Sequence, residues 1–406
     1  AVANSSQGAI TMPWKECAPM DEKLLFIADH LRSGVPLSEL CRRYGISRKT
    51  AYKWVERYRQ LGMDGLQERS RRPHGNNQAI SYAQRRAIIE LRTQQRSQMG
   101  PKKLHALLLQ RWGPQETPSK TTIYNVLKAE GLVCSRRVRR RSVPTAQPLR
   151  TSKQPNGVWS ADYKGQFKTA DGHWCYPLTI MDHASRYLLA VHVYDSPNYE
   201  DAKRSFEQVF RQYGLPERIP SDNGPPFATT GVAGLSRLAI WWIRLGIRPE
   251  RIERGKPQQN GRHERMHRTL KHALGKEPAA DKAALQMQLD AFVEHYNQHR
   301  PHEALQQSMP AQHYSDSARP YPSKLPELQY PKHWEKVRVS HNGLIYWRAL
   351  RVYIGYLLAG QWIGMQEVAA GQWDVYLGPV RLGCFNEEDV RGPQKDYVSL
   401  KCYPCL

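Results

Sequence analysis

Three acidic residues in three different backbone settings constrain what this chain can fold into. Asp162 lies in VWSADYKG, Asp222 in RIPSDNGPPF and Glu264 in PQQNGRHERMHRTLK. The first two close short β-type runs bounded by polar or Gly/Pro-rich turns. The third opens an amphipathic helical stretch that continues through Leu270 and Leu274. A fold that gathers two strand-end carboxylates and one helix-borne carboxylate creates an oxygen-rich, negative pocket, and Mg²⁺ or Mn²⁺ relieves the repulsion inside it. Two such ions, about 3.5–4 Å apart, clamp the attacking and leaving oxygens of an in-line phosphoryl displacement.

Charge narrows the partner. Lys and Arg total 60 against 37 acids, a net +23, which calls for a polyanion and puts nucleic acid first. A basic ribosomal or membrane-surface protein fits the charge alone but leaves the acidic motifs unexplained. No apolar run approaches the ~18 residues that span a bilayer, and the start lacks a signal-peptide pattern, so no membrane partner and a cytoplasmic location are expected. The opening AVANSSQGAIT is set aside as a tag or extension over residues 1–11. The seven cysteines are odd in number and scattered, as reduced thiols would be, and Cys402 with Cys405 forms one CxxC without a second pair.

At 406 residues the chain exceeds one ordinary domain, and patterning divides it. Residues 12–72 read as a helix-turn-helix domain: helical spacing from Asp21 to Ser33, a second helix in LSELCRRYG, and a third in SRKTAYKWVERYRQLG with Ser47 as N-cap. Such domains lay the start of the recognition helix in the major groove, which nominates Arg48, Lys49, Thr50 and Lys53. After RSRRPHGNN, residues 73–135 read as a second helix-turn-helix or winged-helix domain, with Ser119 as an N-cap. Residues 136–155, with RRVRRR, form a basic linker suited to tracking phosphates.

Residues 156–320 begin with three strands, GVWSADYKG, CYPLTIMDH and RYLLAVHVY, and a helix from Asn198 to Tyr213 precedes the strand containing Ile219. From 275 the chain reads as helical and then Pro-rich, with a linker at 321–335. Residues 336–390 alternate in short strands around an Asn342-Gly343 hairpin turn, which predicts a small β-barrel, separable from the core, with Trp347, Trp362 and Trp373 inside it. Residues 391–406 are a tail.

At the three acids, and through SDNGPPF, PQQNGRHER and YNQHRPHEAL, the chain resembles the DDE transposases of bacterial insertion sequences, within the retroviral-integrase superfamily. The resemblance extends over most of the chain. It implies a multidomain protein with N-terminal all-α helix-turn-helix modules, an α/β ribonuclease-H-like catalytic core and a C-terminal small β-barrel. It also implies a polynucleotidyl transferase that nicks 3′ ends and joins them to target DNA, in which Asp162 bridges two Mg²⁺ ions while Asp222 and Glu264 each hold one, and Mn²⁺ can substitute. Double-stranded DNA, as element ends and target, and a homodimer or higher oligomer are the implied partners. Arg268 and Lys271 fall at i+4 and i+7 from Glu264, on its face, and can hold a DNA end. Gln258, Gln259 and Asn260, in the loop before that helix, are further DNA-binding candidates. The chain departs from the best-known integrases in placing 41 residues between Asp222 and Glu264, and the excess is assigned to GVAGLSRLAIWWIRLGIRPERI.

Two rivals stand beside this reading. HERMH at 263–267 satisfies H-E-x-x-H, the zinc-metalloprotease pattern, but a protease leaves Asp162, Asp222 and the basic helical modules without a role. A transposase-derived DNA-binding regulator without catalysis accounts for the helix-turn-helix modules and the charge, though not for retention of all three acids.

Overall fold

The structure, a computed structural model, describes residues 19–32, 34–68, 80–93, 99–133, 152–229, 231–253, 257–275, 277–390 and 396–402. The expected extension at 1–11, the link RSRRPHGNN, the basic RRVRRR at 136–141 and Cys405 of the CxxC lie outside these residues. The chain divides into two compact units, residues 1–79 and 80–406.

In the first unit, α1 (Pro19–Arg32), α2 (Leu37–Arg43) and α3 (Arg48–Leu61) enclose Phe26, Leu40, Trp54 and Leu66. Ser47 caps α3 by accepting from the Thr50 amide at 3.2 Å, which satisfies one of the helix's orphan N–H groups.

The second unit opens with the same device. Its helices α4 (Tyr82–Thr93), α5 (Pro101–Glu116) and α6 (Lys120–Ala129) bury Ile88, Leu104, Leu108 and Ile123. Ser119 caps α6 through the Thr122 amide at 3.2 Å, and Ser81 and Gln84 cap α4 reciprocally.

The core follows in the predicted order: β1 (Trp159–Tyr163), β2 (Phe167–Lys168), β3 (Trp174–Asp182), β4 (Leu188–Tyr194), α7 (Tyr199–Tyr213), β5 (Arg218–Ser221), α8 (Arg237–Arg244), β6 (Arg248–Arg251), α9 (Gly261–Leu274) and α10 (Lys282–Glu294). Antiparallel β4–β3–β1 is joined through one parallel bridge, Val158 to Arg218, to the parallel pair β5–β6. Helix α7 seals one face with Phe206, Val209 and Phe210, while α9 and α10 seal the other with Met266, Leu270, Leu285 and Leu289. This is the ribonuclease-H-like arrangement expected. It brings the end of β1 beside the end of β5.

The long interval before Glu264 holds α8 and β6. Helix α8 is apolar nearly all round, the pattern of a helix buried on more than one side. Leu238, Trp241 and Trp242 pack into the catalytic core, whereas Ala239, Ile240 and Ile243 join the core of the C-terminal strands. Burying such side chains stabilises by roughly 1.5–3 kcal/mol each, so α8 fuses the two regions. The stretch after α10 is likewise tied down: the Asn297 amide bonds both Leu188 backbone groups, and Tyr314 stacks on Tyr187 with ring centres 4.4 Å apart.

The C-terminal strands are β7 (Glu335–Arg338), β8 (Leu344–Trp347), β9 (Leu350–Tyr353), β10 (Trp362–Ala369), β11 (Gln372–Leu377), β12 (Val380–Asn386), β13 (Tyr397–Ser399) and β14 (Lys401–Cys402). They differ from the predicted barrel. An open sheet, β14–β12–β11–β10–β7, faces a three-stranded sheet, β13–β9–β8, and among the described residues no pairing closes either. The Asn342-Gly343 turn forms, with Gly343 at φ 74°, but its flanking strands do not pair with each other: β7 joins β10 and β8 joins β9. Trp373 is buried and Trp347 packs beside it at 4.8 Å, as expected. Trp362 instead lies 42% exposed under the Lys336 ammonium.

Candidate active site

Asp162 sits on β1 opposite Thr179 of β3. Asp222 follows the last residue of β5 and accepts from the Gly224 amide at 3.2 Å, so the Asp-Asn-Gly turn orients its carboxylate. Glu264 occupies the first turn of α9, where the helix dipole favours an acid, and its side chain is exposed. Burial, then the Asp222 charge and more weakly that of Glu264, raise the Asp162 carboxyl to about 7, while the Lys164 charge opposes the shift. Burial also raises Asp222. The charges of Asp222 and Glu264 thus both reach Asp162.

Asn260, at the end of the loop before α9, donates to Asp162 Oδ2 at 3.2 Å. The bond orients the carboxylate, a contact beyond the DNA-binding role expected of Asn260. Gln259 is bonded to Glu253, and the Gln258 side chain lies outside the described residues. The two histidines of HERMH face inward. His263 is fully buried between Ser160 (Nδ1 to Oγ, 2.6 Å) and Thr179 (Nε2 to Oγ1, 2.5 Å). His267 Nε2 lies 2.7 Å from the same Thr179 hydroxyl, and its Nδ1 is 3.8 Å from Asp162 Oδ2. Among the described residues Asp162, His263 and His267 form a cluster with metal-ligand chemistry.

The donor set suits a divalent cation. Carboxylates that raise one another's affinity for protons are also stabilised by a bound positive ion, and oxygen donors match Mg²⁺ and Mn²⁺.

The other face of α9 meets a cleft of about 920 Å³. Arg262, Arg265 and Arg268 of α9 line it with Lys103 of α5, Arg186 and Arg300. Burial lowers Arg186 to about 10 and Lys103 to about 7, each further depressed by a neighbouring guanidinium. Only Arg268 of these was singled out from sequence. Lys271, its predicted companion, is exposed and does not line the cleft.

In the first unit Arg48, Lys49 and Lys53 are exposed on α3, whereas Thr50 is half-buried and engaged with the Ser47 cap, Oγ to Oγ1 at 2.9 Å. Sequence reasoning missed Tyr52, which is 64% exposed on α3, and Tyr124, 42% exposed at the matching position of α6. The parallel was visible: SRKTAY and SKTTIY share the capping serine, the threonine and the tyrosine.

The chain is similar to known proteins over its core and its N-terminal part. Integrase core domain families match residues 152–257 and 245–310, a helix-turn-helix domain matches 22–74, and a homeodomain-like domain matches 50–127. A protein of insertion element IS407 from Burkholderia multivorans is 26% identical over 227 residues, covering 55% of this chain and 78% of that protein. One from IS476 of Xanthomonas euvesicatoria is 29% identical, covering 55% and 62%. The Gag-Pol polyprotein of baboon endogenous virus is 32% identical over 134 residues; the chain spans 33% of its own length and 7% of the polyprotein there. Among solved structures, a simian T-cell lymphotropic virus intasome chain aligns at 17% identity, over 71% of this chain and 91% of that one, with TM-score 0.36. An HTLV-2 integrase catalytic core in complex with magnesium aligns at 17% identity, over 39% and 97%, with TM-score 0.31. Integrase core domain families over residues 152–310, helix-turn-helix families before them and insertion-element relatives together support a bacterial insertion-sequence transposase of the retroviral-integrase superfamily.

Proposed function

We propose that the protein binds the terminal inverted repeats of an insertion sequence, nicks them to free a 3′-hydroxyl, and joins that hydroxyl to target DNA. The observation that carries the reading is that burial, then the Asp222 charge and more weakly that of Glu264, push the Asp162 carboxyl to about 7. In the first step a water oxygen bonds to phosphorus and the P–O3′ bond breaks, leaving a 3′-hydroxyl. In the second, that hydroxyl bonds to a target phosphorus, loses its proton, and expels the target's 3′ oxygen. The number of phosphodiester bonds is conserved in the second step, so no covalent protein intermediate and no nucleotide cofactor are needed.

A pair of Mg²⁺ ions held by Asp162, Asp222 and Glu264 supplies, when bound, the Lewis acidity that favours both attack and departure. The chain's own residues supply position. Asn260 holds the Asp162 carboxylate through Oδ2, and the rigid β1–β3 ladder fixes the backbone beneath it. Arg265 and Arg268 of α9 offer exposed guanidiniums to phosphate oxygens in the adjoining cleft. Arg48, Lys49 and Lys53 on α3, joined by Tyr52, read or grip the duplex, a role that their exposure supports. Handling two DNA ends calls for a dimer or larger assembly. No described helix is long and apolar enough to cross a membrane.

The test incubates the full-length protein and Mg²⁺ with labelled duplexes bearing the element's terminal repeats. Site-specific 3′ nicking and strand-transfer products are expected. Specific binding without either product would make the protein a transposase-derived regulator.

A further inference from the structure

Thr179 Oγ1 sits at the centre of a hydrogen-bond arrangement that decides which nitrogens of α9 are free. Its hydroxyl donates to the Asp162 carbonyl oxygen at 2.8 Å, which consumes its one proton. The imidazole nitrogens beside it, His263 Nε2 and His267 Nε2, must then donate to its two lone pairs. With each Nε2 committed to that hydroxyl, Nδ1 holds the ring lone pair left for another partner. For His263 that lone pair is used, because Ser160 donates to it. For His267 it faces Asp162 Oδ2 at 3.8 Å, beyond hydrogen-bond reach and within the span of one shared cation. Two metal–ligand bonds of about 2.1 Å span such a gap, with the cation bent off the line between the two atoms.

We propose that His267 Nδ1 joins Asp162 Oδ2 as a ligand of the catalytic cation, giving this carboxylate site one imidazole nitrogen and a preference for first-row transition ions over Mg²⁺. His263 is its positioning partner: saturated by Ser160 and Thr179, it holds the hydroxyl that sets the His267 tautomer. The spacing that imitates a metalloprotease thus serves a mixed nitrogen–oxygen site in which only the second histidine binds metal. Imidazole adds little for hard Mg²⁺ and more for Mn²⁺, rising further for Co²⁺. This proposal rests on Asp162 being a metal carboxylate, as the proposed function requires.

The test is Mn²⁺ titration of the full-length protein, followed by electron spin-echo spectroscopy of the bound ion with and without ¹⁵N-histidine labelling. A directly bound histidine nitrogen, altered by the label, is expected in the parent and in His263→Gln, and is lost in His267→Gln. Co²⁺ affinity is expected to fall about tenfold or more in His267→Gln, with Mg²⁺ affinity changed much less. No nitrogen coupling in the parent overturns the proposal without relying on any variant, and coupling lost in His263→Gln but kept in His267→Gln also overturns it. Asp162→Asn separates the two readings. If it abolishes Mn²⁺ binding while the parent shows no nitrogen, only the histidine ligand fails; if it binds Mn²⁺ like the parent, the carboxylate site fails as well.

Discussion

Helix α9 divides two regions of opposite charge. On one side Asp162, Asp222 and Glu264 crowd carboxylates together; on the other Arg262, Arg265, Arg268, Arg186, Arg300 and Lys103 crowd cations into a cleft. Burial drives the two sets the opposite way: Asp162 rises toward neutrality and Lys103 falls toward it. In both regions like charges raise the energy of the ligand-free fold, and a ligand of opposite charge relieves it. On the proposed function a divalent cation would do so in the first, and DNA phosphate in the second. One helix thus borders both regions, and on the proposed function it would align the cation site with the DNA backbone beside it.

The contrast between the two regions should break most visibly at Asp162. Asp162→Asn is expected to reduce nicking and joining by about a thousandfold or more while leaving end binding intact. It should also stabilise the metal-free protein. A carboxyl raised from near 4 to about 7 on folding costs nothing below pH 4, costs progressively more as pH rises from 4 to 7, and reaches its full cost above 7, at most a few kcal/mol. Thermal melts without metal should therefore show Asp162→Asn more stable than the parent at pH 8 and equal to it at pH 4. Equal stability at both pH values would separate Asp162 from the crowded pocket.

On the cationic side, Arg265→Ala with Arg268→Ala should weaken binding to terminal and random DNA alike. The log–log salt slope should become shallower by about 0.9 for each phosphate that the variant no longer neutralises. An unchanged slope would leave the cleft without a DNA role. Arg48→Ala or Lys49→Ala should act differently, reducing discrimination between terminal and random DNA, by about 1–3 kcal/mol where the side chain reads a base edge. Equal weakening on both DNAs would reassign them to phosphate.

The smallest effect concerns pH. With its folded value near 7, Lys103 is largely neutral at pH 8–9, and nearby phosphate favours its charged form, so binding takes up a proton above pH 7. DNA affinity should decline severalfold from pH 7 to 9 in the parent, and less so in Lys103→Met. Identical profiles would place DNA phosphate away from this lysine.

Much of the fold is legible in sequence because it is local. Ser47 and Ser119 announce helix starts, Asp-Asn-Gly announces the turn after β5, and short apolar runs announce β1, β3 and β4. The cleft is not, since its cations come from α5, the turn after β3, α9 and the segment after α10, and only tertiary packing brings them together. The C-terminal sheets escape sequence reading for a related reason: β7 pairs with β10 and β13 runs parallel to β9, pairings that turn signals do not encode. The sheets are also not separable as expected. Truncation at Lys336 strips the cover from Ala239, Ile240 and Ile243 of α8, so it should destabilise the core rather than spare it. The role of HERMH depends on Thr179, 84 residues away from His263.

On the proposed function Glu264, despite the long interval that α8 and β6 occupy, completes the site that Asp162 and Asp222 begin. The most direct measurement is the single-turnover rate at which Glu264→Gln joins a pre-nicked terminal duplex to target DNA in Mg²⁺, compared with the parent at equal end occupancy. A loss of about a thousandfold, with unchanged end binding, is predicted. Joining at the parent rate would contradict the account and require another acid to be found.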